Sequence, residues 1–100
     1  MFNILIVDDD IEFIKFLKNA LHWGNYGFEI PLEAYNGRDA LKIILQNMPE
    51  VIITDICMPD MDGIELIREI RKISQRIKVI VASCHEKFEF AKEAIALKVD

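Results

Sequence analysis

Four short aliphatic runs, each followed by a longer segment whose apolar residues recur at helical spacing, constrain this chain more than any other feature. Residues 3–7 (NILIV) predict a strand. Residues 10–22 predict a helix with an apolar stripe at Phe13, Ile14, Leu17, Ala20 and Leu21. After the break at "WGNYG", Phe28, Ile30, Leu32 and Ala34 alternate with Glu29 and Glu33, the pattern of a half-buried strand. Pro31 places that strand at a sheet edge, because it has no N–H for a ladder. Asn36-Gly37 turns into a helix over residues 37–47, with Ala40, Leu41, Ile44 and Leu45 on one face. Residues 51–54 predict a third strand ending at Asp55. A third helix starts at Gly63, with Ile64, Ile67, Ile70 and Arg71 near helical spacing. The continuous run over residues 77–82 (IKVIVA) predicts an interior strand, and residues 86–97 a last helix. Strand and helix alternating four times imply βαβ units and a parallel sheet covered on both faces. The expected fold class is α/β, a doubly wound parallel sheet.

At 100 residues, there is room for one core and one domain spanning residues 1–100. The chain is 52% hydrophobic, enough to build that core, yet its longest apolar runs are far short of a membrane span. No basic-then-apolar leader precedes the first acids, and Cys57 and Cys84 lack metal or redox spacing, so a reducing, cytoplasmic setting is expected. Both cysteines read as small hydrophobes. The net charge of −5 argues against direct grip on nucleic acid.

In doubly wound sheets, ligands bind beyond the carboxyl ends of the strands, where the winding reverses. Asp8, Asp9 and Asp10 follow the first strand, Asp55 ends the third, and Ser83 follows the fourth. If those strands are neighbours, the side chains converge on one crevice. Clustered carboxylates repel one another unless a cation sits among them. Oxygen ligands with no His or Cys in coordinating register favour a hard ion, hence Mg2+ over zinc. Acids after strands are also common helix caps, and Asp10, directly before the helical stripe, fits that role best. A single cap does not explain Asp8 and Asp9 together with Asp55. Asp60 and Asp62 read as loop or cap residues, with Asp62-Gly63 a turn.

The segments "IVDDD", "VIITDICMPDMDG" and "VIVASC" resemble the receiver domain of two-component response regulators, with compatible spacing over the whole chain. The D-x-x-M-P-x-x-D-G stretch is the most specific part. The resemblance implies a flavodoxin-like receiver fold. It makes Asp55 the phosphoacceptor, a carboxylate nucleophile toward the phosphohistidine of a histidine kinase. It implies a Mg2+ site of Asp8, Asp9, Asp55 and the Cys57 main-chain carbonyl. It also makes Ser83 the hydroxyl that turns to bond the new phosphate. "CHEKFEFAKEAIALK" further resembles receivers joined to an arabinose-regulator-type helix-turn-helix half, which implies that transcription is controlled through a DNA-binding output domain outside this chain.

The family pattern continues into a fifth strand bearing a Lys-Pro pair and a fifth helix. Lys98 does not match that lysine, so the expectation is a C-terminally truncated receiver lacking both elements. Its uncovered fourth strand and first helix would then promote self-association. Two other classes compete with the non-enzymatic switch. A Mg2+-dependent phosphohydrolase of the haloacid-dehalogenase type would use Asp8-Asp9-Asp10 as its D-x-D pair, but leaves Asp55 without a part. An inert receiver-like interaction module would not need Asp8, Asp9, Asp55 and Ser83 together.

Overall fold

The structure, a computed structural model, describes residues 1–82. The order of elements is β1 (Ile4–Val7), α1 (Ile11–Ala20), a 3-10 turn (Trp23–Tyr26), β2 (Leu32–Ala34), α2 (Gly37–Asn47), β3 (Val51–Thr54), α3 (Gly63–Ile73) and β4 (Lys78–Val81). The helix expected over residues 86–97 lies outside the described residues, as do Ser83 and Cys84.

All strand pairs are parallel, in the order β2-β1-β3-β4. The chain therefore winds outward in two directions from the β1/β3 pair. Right-handed crossovers then put α1 on one face of the sheet and α2 and α3 on the other. Leu5, Ile52 and Val79 sit side by side in the ladder, and all three belong to the core beneath α2 and α3. That core also takes Ala40 and Ile44 from α2 and Leu66, Ile67 and Ile70 from α3. Ile4 and Ile6 of β1 point the other way and are buried, as is Ile14 of α1.

Three expectations about apolar faces need correction. The alternating run from residue 28 to 34 forms a strand only at Leu32–Ala34. Phe28 makes an isolated bridge to Phe2, and Ile30 is 78% exposed. Pro31 has no N–H to donate and disfavours helical backbone in the residue before it, so the ladder restarts after it. β2 is indeed an edge strand. In α2, Leu45 is exposed while Ile43 packs on the core. The face presented to the sheet is centred on Ala40 and Ile44, and Leu45 is turned about 100° past Ile44. In α3, Leu66 is fully buried although the expected stripe omitted it. Arg71, which the stripe included, reaches the start of β4 and donates from Nη1 to the Ile77 carbonyl at 2.7 Å.

The helix starts are set by side-chain caps. Asp10 accepts from the amides of Glu12 and Phe13, Asn36 from Asp39, and Asp62 from Glu65. Each occupies an orphan donor of the first turn, and Asp10 and Asp62 also put negative charge at the positive end of their helices. α1 ends at Ala20, two residues before the expected limit, where the Trp23 indole donates to the Lys18 carbonyl at 3.1 Å. Among the described residues, no helix is long and apolar enough to cross a membrane.

Candidate functional site

The winding reversal between β1 and β3 leaves a crevice beyond their carboxyl ends. Val7 and Thr54 are the last ladder partners of the two strands, so the next residues, Asp8 and Asp55, emerge side by side. Their backbones stay pinned past the strands: the Asp55 amide donates to the Val7 carbonyl at 3.0 Å and the Asp8 amide to the Ala34 carbonyl at 3.1 Å. Asp8 and Asp55 are only 6% and 5% exposed, whereas Asp9 faces solvent. One carboxylate oxygen from each of Asp8, Asp9 and Asp55 lies within 4.8 Å of the other two. Asp10 is not in this group, because its carboxylate caps α1.

Burial pushes the Asp8 carboxyl up from the ordinary 3.8 to about 6, and the negative charges of Asp55 and Asp9 push the same way. The Asp10 amide, 2.9 Å from Asp8 Oδ1, pulls against them. A carboxylate pair held this close in a shielded crevice has a standing charge problem that a hard cation relieves. The donor set is all oxygen, which fits Mg2+ and leaves coordination positions for water or phosphate oxygens.

The turn after β3 is held tightly. The Cys57 amide donates to Asp55 Oδ1 at 3.3 Å, and the Gly63 amide donates to the Ile56 carbonyl at 2.7 Å. Cys57 is half-buried against Ile56 and Ile64, and Met58 is drawn into the main core. Asp60 takes a left-handed conformation at φ 67°, which lets so short a loop return to α3. Gly63 was expected to open a helix after a turn, but its stricter requirement is space. A Cβ there would lie 2.1 Å from the Asp55 carbonyl oxygen and 2.7 Å from the Ile56 Cα. Thr54, buried completely and given no part by the sequence reading, donates its hydroxyl to the Asp55 carbonyl at 2.9 Å. The only sequence signal for it was a hydroxyl in an otherwise aliphatic strand.

Of the expected site residues, then, Asp8, Asp9 and Asp55 come together, Cys57 adjoins them, and Ser83 lies outside the described residues. The last described residue before it is Ala82, whose amide donates to the Thr54 carbonyl at 3.0 Å.

Comparison with known proteins shows the family. Residues 4–100 match the family model of the response regulator receiver domain. The chain is 36% identical over 95 residues to the "Uncharacterized transcriptional regulatory protein YesN" of Bacillus subtilis, covering 95% of this chain and 26% of that protein. It is 37% identical over 95 residues to "Transcriptional regulatory protein HptR" of Staphylococcus aureus, covering 95% of this chain and 37% of that one. The chain thus spans well under half the length of either relative. Among solved structures, the REC domain of AraT, a response regulator from Geobacillus stearothermophilus, superposes with a TM-score of 0.91 at 31% identity, covering 99% of this chain and 77% of that one. The receiver domain of the histidine kinase CKI1 from Arabidopsis thaliana, complexed with Mg2+ and BeF3-, gives a TM-score of 0.83 at 26% identity, covering 99% and 77%. With its doubly wound order and the paired acids at the reversal, the chain belongs to the response regulator receiver domain family.

Proposed function

We propose that the chain is a phosphorylation-activated switch in which Asp55 takes a phosphoryl group from the phosphohistidine of a histidine kinase. The observation that carries this reading is the convergence of Asp8, Asp9 and Asp55 within 4.8 Å, with Asp8 and Asp55 buried at the strand ends. Asp55 is held by its strand on one side and by the Cys57 amide on the other, so one carboxylate oxygen is already oriented. The other is the nucleophile. A new O–P bond forms as the P–N bond of the phosphoimidazole breaks, and the electron pair leaves on the imidazole nitrogen, which takes up a proton from solvent. Asp8, Asp9, Asp55 and the Cys57 carbonyl would hold Mg2+. When bound, that ion neutralises charge between the anionic acceptor and the anionic phosphoryl group. Ser83 is proposed to bond the phosphate once it is in place, and so to report phosphorylation.

Receiver domains are signalling switches, and we read this one as a switch that does not turn over a substrate as an enzyme. The phosphohydrolase alternative needs Asp10 as the second acid of its pair, but that carboxylate is engaged with the first turn of α1. The relatives are transcriptional regulatory proteins longer than this chain, so the output we propose is control of transcription in the cytoplasm, through parts of such a protein outside it.

The test is incubation of the full-length protein with acetyl phosphate and Mg2+. One phosphoryl group should be added as a labile acyl phosphate, lost in hydroxylamine and abolished by Asp55→Asn. A hydroxylamine-stable adduct, or labelling that survives Asp55→Asn, would overturn the assignment.

A further inference from the structure

We propose that Thr54 and Gly63 together clamp the main-chain carbonyl of Asp55 and so act as positioning residues for the acceptor. This deepens the reading of Asp55 as phosphoacceptor and rests on it. Packing alone would favour valine at position 54. Thr54 lies in register with Val7 on one neighbouring strand and Val81 on the other, so the same level of the sheet is filled by valine on both sides. Valine has the shape of threonine without the hydroxyl, and a hydroxyl with 0% exposure is unfavourable unless it is bonded. The Thr54 hydroxyl is bonded to the carbonyl of the acceptor residue itself, at 2.9 Å.

Gly63 closes on the same oxygen. Its Cα approaches so near that a Cβ would lie 2.1 Å from the Asp55 oxygen, while its amide takes the next carbonyl, that of Ile56, at 2.7 Å. The following amide, Cys57, returns to Asp55 Oδ1. Consecutive main-chain groups after the acceptor are therefore each assigned a direction: Asp55 C=O to the Thr54 hydroxyl, Ile56 C=O to Gly63, Cys57 N–H to the acceptor carboxylate. The next group along is the Cys57 carbonyl proposed for the metal. Without the Thr54 hydroxyl, the first of these peptide planes loses its hydrogen bond, and both the carboxylate and that carbonyl gain freedom that catalysis by orientation does not tolerate.

Thr54→Val, with Thr54→Ser as the conservative control, tests this in the full-length protein. Three readouts are taken: the rate of acetyl phosphate labelling, Mg2+ affinity by calorimetry, and amide hydrogen exchange at Cys57 and Gly63 in metal-free protein. Thr54→Val should remain folded, label about tenfold more slowly, bind Mg2+ several-fold more weakly and exchange faster at both amides, as expected for loss of one orienting hydrogen bond. Thr54→Ser should restore all three. Labelling, affinity and exchange at wild-type values in Thr54→Val would overturn the clamp, and so would equal losses in Thr54→Ser, which would assign the effect to packing. If the wild type takes no phosphoryl group, the acceptor reading fails by itself. The exchange measurement then still decides the clamp: faster exchange in Thr54→Val, reversed in Thr54→Ser, supports it, and unchanged exchange refutes it.

Discussion

Asp8 shows how one residue can be placed against its own preference. It is buried, it neighbours two other acids, and its carboxyl is pushed up to about 6. The folded state therefore binds this proton more tightly than the unfolded chain, whose carboxyl keeps the ordinary 3.8. The stabilising contribution is complete below about pH 4 and is lost as pH rises through about 6. At ~1.4 kcal/mol per pH unit, the gap makes metal-free folding at pH 7 less favourable by up to about 3 kcal/mol. Asp8→Asn keeps the acceptor for the Asp10 amide and removes the charge, so without metal it should melt well above wild type at pH 7.5, and the gap should shrink as pH falls and close only below about pH 4. A thermal melt series over pH checks this, and a constant offset at all pH values would contradict it. A cation favours the ionised acid, so Mg2+ affinity of the wild type should fall as pH drops through about 6. Asp9→Asn, at the exposed member of the site, should weaken Mg2+ binding most without lowering metal-free stability.

At the scale of the elements, helix faces are decided by rotation about the axis, and α2 gives a clean contrast. Ile44 is fully buried between sheet and helix, while its neighbour Leu45 is 63% exposed, although both are large aliphatics in the same apolar run. Ile44→Ala should cost about 2–5 kcal/mol through lost transfer energy and the cavity left behind. Leu45→Ala should stay within about 0.5 kcal/mol. Urea unfolding of the two variants measures the difference, and equal losses would mean that the helix is rotated from the position described. The turn after β3 obeys a different rule. There the spacing is governed by closeness of approach, which is why a glycine stands where α3 begins beside the end of β3.

For the whole molecule, the sheet order makes the acidic crevice depend on folding. The acids are contributed by β1 and β3, two strands separated by about 45 residues of chain, so the complete site exists only when the sheet is assembled. An ion bound to the native state alone stabilises it by mass action, about 1.4 kcal/mol at ten times its Kd. For a domain of this size, that corresponds to a rise of roughly 6–11 °C in Tm. Mg2+ should produce such a rise, a chelator should reverse it, and Asp55→Asn should reduce it. Calorimetric melts that show no dependence on Mg2+ in the wild type would exclude a site at this crevice.

The class of fold and the meeting of Asp8, Asp9 and Asp55 were legible because both depend on local, periodic information. Short aliphatic runs alternating with helical stripes imply a parallel sheet, and acids at strand ends imply a crevice once the strands are neighbours. The resemblance carried by "VIITDICMPDMDG" then singled out Asp55 among several aspartates that spacing alone left equal. What only the tertiary structure decided was everything set by contact between distant segments. It split a seven-residue alternation at Pro31, turned Leu45 outward and Leu66 inward, and gave Arg71 the Ile77 carbonyl. It also showed that Gly63 and Thr54 meet at one carbonyl oxygen. Residue order sets the period of a segment, but the phase of its buried face, and the atoms that must touch across it, are settled by which surface packs against it.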